Sequence, residues 1–116
     1  MEKIVNIYDV IKSDKAISPE DGDLVFNRIS FEINAGNVVI LDFNSLTTII
    51  SAFLNRAVGQ LYSRFNSEHL RTFLKTKNMD DDTKHILRLV VERAKQFYSS
   101  PESYKNAAKE VFDHDD

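Results

Sequence analysis

The sequence predicts a single α/β domain in which helices pack on a mostly parallel sheet. Three observations carry this reading. Val38 to Phe43 run almost continuously apolar, the pattern of a central strand covered on both faces. The stretches from Pro19 to Ala35 and from Ile50 onward instead place apolar residues at helical spacing. Strand-patterned and helix-patterned segments alternate along the chain, and that alternation gives a mainly parallel sheet flanked by helices.

Taken in order, Ile4 to Tyr8 are β-branched and aromatic and read as an opening strand. Lys15 to Ile17 form a second short extended piece. Ser18-Pro19-Glu20-Asp21 then starts a helix, with Ser18 as the cap, Pro19 in the first helical position and Asp21 at capping-box spacing. Val25, Phe26, Ile29 and Ile33 supply its buried side. Gly22 weakens it, and Gly36 ends it by taking a positive φ. After the central strand, Asn44-Ser45 is turn material. Ile50, Phe53, Leu54, Ala57, Val58 and Leu61 then form one helical stripe. Phe65 to His69 read as a connector and Thr72 to Lys77 as a third main strand. Asp80-Asp81-Asp82 place acids on the first turn of a further helix, where the helix dipole favours them. Ile86, Leu87, Val90, Val91 and Ala94 give that helix its inner face. A final helix after Pro101 carries Tyr104, Ala107, Ala108, Val111 and Phe112 on one side.

Composition narrows the function classes. The 116 residues are 42% hydrophobic and 28% charged, which is the balance of one globular domain with an ordinary core. The formal net charge is −3, and no basic run interleaves with aromatics, so nucleic acid is not an expected partner. There is no cysteine, which excludes disulfides, thiolate metal sites and a thiol nucleophile. The three glycines form no phosphate loop, no histidine has a partner at metal-ligand spacing, and no nucleophile elbow occurs. The expectation is therefore a protein that is not an enzyme and carries no cofactor or metal. The opening Met-Glu-Lys lacks the apolar core of a signal peptide, and no membrane span is visible, so a cytoplasmic setting is expected.

The segment Val38-Val39-Ile40-Leu41-Asp42-Phe43-Asn44-Ser45-Leu46-Thr47-Thr48-Ile49-Ile50-Ser51-Ala52-Phe53-Leu54 resembles the core of the STAS fold, found in sulphate transporters and anti-sigma factor antagonists. Leu74-Lys75-Thr76-Lys77-Asn78, followed by Met79 and a helix, looks like that family's last strand and helix. More closely, the chain resembles the uncharacterised STAS-like family of bacterial and mobile-element proteins, whose helix opens with Ser-Ser-Phe or a near equivalent, here Ser51-Ala52-Phe53. The resemblance covers about Ile4 to Tyr98. It implies a STAS-like domain over residues 1–98, with a mixed, mostly parallel central sheet of about four strands, and a C-terminal helix appendage over 99–116. Ile50 and Ala52-Phe53 depart from the antagonists' pattern, which has aspartate before the serine and Ser-Gly after it.

The resemblance also implies a function. An antagonist-like module works by partner switching, binding a regulatory protein such as a kinase-like ATPase, and Ser51 matches the serine that such a kinase phosphorylates. On that reading Asp42, Asn44, Ser45, Thr47, Thr48, Ser51, Asn55 and Gly59 form the contact surface. Asp42 ends the central strand, the polar loop lies at the strand's carboxyl end, and Asn55 and Gly59 follow Ser51 at intervals of four. Each has a plainer alternative: a helix cap for Ser51, an Asx-turn for Asp42, solvated turn chemistry for the loop and an ordinary solvent face for Asn55 and Gly59. Two rival functions stay open. One is a small anion- or nucleotide-sensing domain using Ser45, Thr47 and Thr48. The other is an oligomeric scaffold of a mobile-element or defence system, with the C-terminal helix joining a homodimer.

Overall fold

A computed structural model describes residues 1–99. Strand β1 (Glu2–Asn6) runs straight into a short helix α1 (Ile7–Ile11), and β2 (Lys15–Ala16) precedes the long helix α2 (Pro19–Asn34). Next come the central strand β3 (Val38–Asp42), a two-residue β4 (Thr48–Ile49) and helix α3 (Ser51–Ala57). A 3₁₀ turn (Gly59–Ser63), helix α4 (Ser67–Phe73), strand β5 (Leu74–Lys77) and helix α5 (Asp81–Ser99) complete the described chain. The expected helix carrying Tyr104 to Phe112, with its proposed dimer contact, lies outside the described residues.

The α/β class and the parallel pairing match the expectation, while the sheet is divided differently. The main sheet has three parallel strands in the order β1-β3-β5. The short piece at Lys15, expected to extend that sheet, pairs in parallel with β4 instead and makes a separate two-stranded ribbon. Each ribbon strand is only two residues long, since the Ser18-capped start of α2 and the start of α3 cut them off.

The signals read for α2 operate as expected. Ser18 Oγ accepts from the Asp21 N–H at 3.1 Å, and Pro19 opens the helix. At the other end Gly36 takes φ +87°, which lets its N–H reach Ile33 O and the Asn37 N–H reach Glu32 O. Two helices lie where strand or connector is expected. Asn6 caps α1 by accepting from the Asp9 N–H at 2.9 Å, and Asn66 caps α4 by accepting from the His69 N–H at 2.8 Å. The rings of Phe65, just before α4, and of His69 and Phe73 within it stack in turn.

One core joins the inner face of the sheet to the helices. Val5, Val39 and Leu41 meet Val25, Ile29, Phe53, Leu54, Leu61 and Val90, all at 2% exposure or less. Burying each of the larger side chains contributes roughly 1.5–3 kcal/mol before chain entropy is charged against it. The expected cover on both faces of β3 is not what forms among the described residues. Side chains alternate along a strand, and on the outer face Ile4 is 56% exposed while Val38 and Ile40 are half-buried.

Candidate functional site

The three main strands are parallel, so their carboxyl ends meet at one edge of the sheet, and Asp42 sits at its centre. Its side chain is buried and ties the strand ends together. Oδ1 accepts from Asn78 Nδ2 at 2.8 Å and from the Asn44 N–H at 3.0 Å, and Oδ2 accepts from Asn6 Nδ2 at 3.3 Å. Burial pushes the carboxyl up, but these three donors and the Lys77 charge outweigh it and hold Asp42 below the ordinary carboxylate value. Of the two readings given for Asp42, the Asx-turn is the one that forms, and its partners extend to both neighbouring strands.

Asn44 and Ser45 follow as exposed turn residues, with Ser45 at φ +72°. Thr47 does not face outward alone. Its N–H donates to Asp14 O at 2.9 Å, its hydroxyl donates to Asp14 Oδ2 at 2.9 Å, and Lys15 Nζ donates to Thr47 Oγ1 at 2.8 Å. The Thr47 hydroxyl, with the Lys15 charge, keeps the Asp14 carboxyl below its usual range. Thr48 pairs with Lys15 in the ribbon. The two threonines proposed as anion donors are therefore engaged with β2 and stand beside a carboxylate, which repels an anion.

Ser51 is exposed and occupies the first helical position of α3. It is not the cap. Ile50 holds that place, with extended φ and ψ and no side-chain hydrogen bond to the helix. Asn55, four residues on, is exposed on the same side. Gly59 is not on that side and must be removed from the proposed surface. α3 ends at Ala57, the chain tightens into the 3₁₀ turn, and the four-residue spacing no longer maps onto one face. Gly59 is buried against α5, where a Cβ would lie 3.5 Å from Val90 Cγ1 and 3.9 Å from Ala94 Cβ.

Two surface residues absent from the predicted set join Ser51 and Asn55. Ile17 and Ile50 extend β2 and β4 by one residue each, and the Ile50 N–H donates to Ala16 O at 3.1 Å. Pairing buries Ala16 and half-buries Ile49 on one side and turns Ile17 and Ile50 to the other, where they are 41% and 38% exposed. The signal in the sequence was the alternation Ala16-Ile17 and Ile49-Ile50, masked by reading the second pair as loop and helix. Behind this patch α3 is fixed to α2 by Arg56, which donates twice to Asp23, at 2.9 and 2.8 Å, while Gln60 Nε2 donates to Asp23 Oδ1 at 2.8 Å.

The order strand, turn and serine-led helix matches the arrangement expected from the resemblance, while the short ribbon between turn and helix was not expected. A family model described as "STAS-like domain of unknown function (DUF4325)" matches residues 21–84, more than half of the 116-residue chain. The chain belongs to this STAS-like family. The match takes in most of α2 together with β3, β4, α3, α4 and β5, so Ser51 lies within it while β2 and Ile17 lie before it. No curated protein and no solved structure matches the STAS-like chain. Among its described residues no helix is long and apolar enough to cross a membrane.

Proposed function

We propose that this STAS-like domain is a cytoplasmic regulatory module that works by protein–protein contact rather than by catalysis. The observation supporting it is the patch at the start of α3, where the exposed Ile17 and Ile50 adjoin the exposed Ser51 and Asn55. Apolar anchors with a polar rim suit a partner surface. The patch stands on a backbone held from behind by the Asp42 clasp and the Asp23–Arg56 pair, so little ordering cost attaches to binding.

The finer reading is partner switching with Ser51 as phosphoacceptor. A phosphate there adds about −1.5 to −2 charge next to Ile17 and Ile50, enough to disfavour a dry contact. The partner is a regulatory protein of the kinase-like ATPase class. The test measures binding of the protein encoded beside this one to wild type, Ser51→Ala, Ser51→Asp and Ile50→Glu. Partner switching requires Ser51→Asp to bind at least about tenfold more weakly than Ser51→Ala. Equal affinities for the three Ser51 forms remove the switch, and full affinity in Ile50→Glu removes the surface.

A further inference from the structure

Among the described residues, the helices do not close completely over the inner face of the sheet. Between α4, α5 and β5 an open-sided cavity of about 240 Å³ remains, floored by Leu41 and by Leu74 of the adjacent strand. Leu87, Val91 and Lys95 recur every four residues along α5 and form one wall. Leu70 and Arg71 of α4 form the other, with the half-buried Tyr62 beside them. Most of the lining is aliphatic, the Tyr62, Ser67 and Thr76 side chains add polar groups, and Arg71 and Lys95 are its two cations.

Among the described residues, no aspartate or glutamate lines the cavity. The three ion pairs among the described residues lie elsewhere, at Asp14–Lys15, Glu32–Arg28 and Asp23–Arg56. Among the described residues, Arg71 and Lys95 thus face one largely apolar groove without forming an ion pair. We propose that this groove binds a small amphipathic carboxylate, its hydrocarbon tail against Leu41, Leu74 and Val91 and its carboxylate between Arg71 and Lys95. A guanidinium takes a carboxylate with two parallel hydrogen bonds, which fixes the ligand's orientation as well as its charge. The volume lies below the roughly 300–1,000 Å³ of pockets for drug-sized ligands, so the ligand is a short-chain or single-ring acid and not a nucleotide. None of Ile17, Ile50, Ser51 and Asn55 lines the groove, so this site stands apart from the protein-contact reading.

The full chain, labelled at its methyl groups, is titrated with octanoate and separately with octylamine while NMR follows the Leu70, Leu74, Leu87 and Val91 methyls. Saturable shifts of those methyls with octanoate, and none with octylamine, are expected. The double substitution Arg71→Gln/Lys95→Gln, at exposed positions, leaves the remaining spectrum unchanged and weakens octanoate by at least about tenfold. Equal response to the amine, unchanged affinity in the double variant, or no saturable shift of these methyls, as when another part of the chain fills the groove, overturns the proposal.

Discussion

Gly22 of α2 lies so close to Phe53 of α3 that a Cβ at position 22 would sit 2.6 Å from the Phe53 carbonyl oxygen, with Arg56 Cβ 2.8 Å away. The residue that weakens α2 by propensity is the one that lets α3 dock against it. The obstacle is backbone, which cannot rotate aside. Gly22→Ala gains about 1 kcal/mol of helix propensity and loses about 1–3 kcal/mol to overpacking. Urea unfolding should show a net loss. Gly59→Ala is the contrast, since its Cβ meets Val90 at an ordinary 3.5 Å. That variant is expected within about 0.5 kcal/mol of wild type or slightly above it.

Asp42 should govern part of the acid sensitivity. Asn6 cannot turn its amide around to suit a new partner, because its oxygen already accepts from the Asp9 N–H as the cap of α1. Asp42→Asn therefore sets two amide NH₂ groups face to face, at a cost of about 1–3 kcal/mol near neutral pH. The folded-state pKa of Asp42 lies below its ordinary 3.8, so the carboxylate's contribution is present in full above that value and is lost as pH falls through the lower, folded one. The stability gap between wild type and Asp42→Asn should hold from pH 7 to about 5 and shrink below about 4. A gap independent of pH would show that the clasp carries no charge effect.

Arg56→Lys keeps the charge but cannot make both bonds to Asp23. Both side chains are more than a third exposed, so solvent screening keeps the loss under about 1 kcal/mol. The loss should diminish further in 1 M salt, where ion pairs at the surface are screened. Thermal unfolding at two salt concentrations checks both statements.

Ile17→Glu and Ile50→Glu change exposed positions outside the core. Each should unfold within about 0.5 kcal/mol of wild type while losing partner binding. A substitution that lowers stability as well would assign the isoleucine to the fold rather than to contact.

The parts of the fold readable in advance were those where local chemistry and packing agree. α2 has a capping serine, a first-turn proline and a terminating glycine, and β3 has five successive apolar or strand-ending residues that pack into the sheet. The first two residues of α1, Ile7 and Tyr8, read as the end of a strand because they are β-branched and aromatic, although Asn6 followed by Asp9 carried a cap signal. α4 had the same kind of signal at Asn66 and was obscured by the Asn-Ser turn chemistry around it. The break after Ala57 had no local signature. It sets Gly59 against Val90 and Ala94 of α5, residues more than thirty positions away. Of the predicted surface, Ser51 and Asn55 are together and exposed, Asp42 and Gly59 are interior, and Thr47 and Thr48 are tied to β2.

Asp42 stands 36 residues from Asn6 and 36 from Asn78, the two side chains it joins at the strand ends. With all pairings parallel, no adjacent strands of the main sheet can zip from a hairpin, and each must wait for a distant segment. On the ribosome, β3 therefore emerges with one half of its neighbours still unsynthesised, and its apolar row stays unpartnered along one edge until residue 77 has left the tunnel. The helices α2 and α3, which flank β3 in the chain, are what can cover that row in the interval.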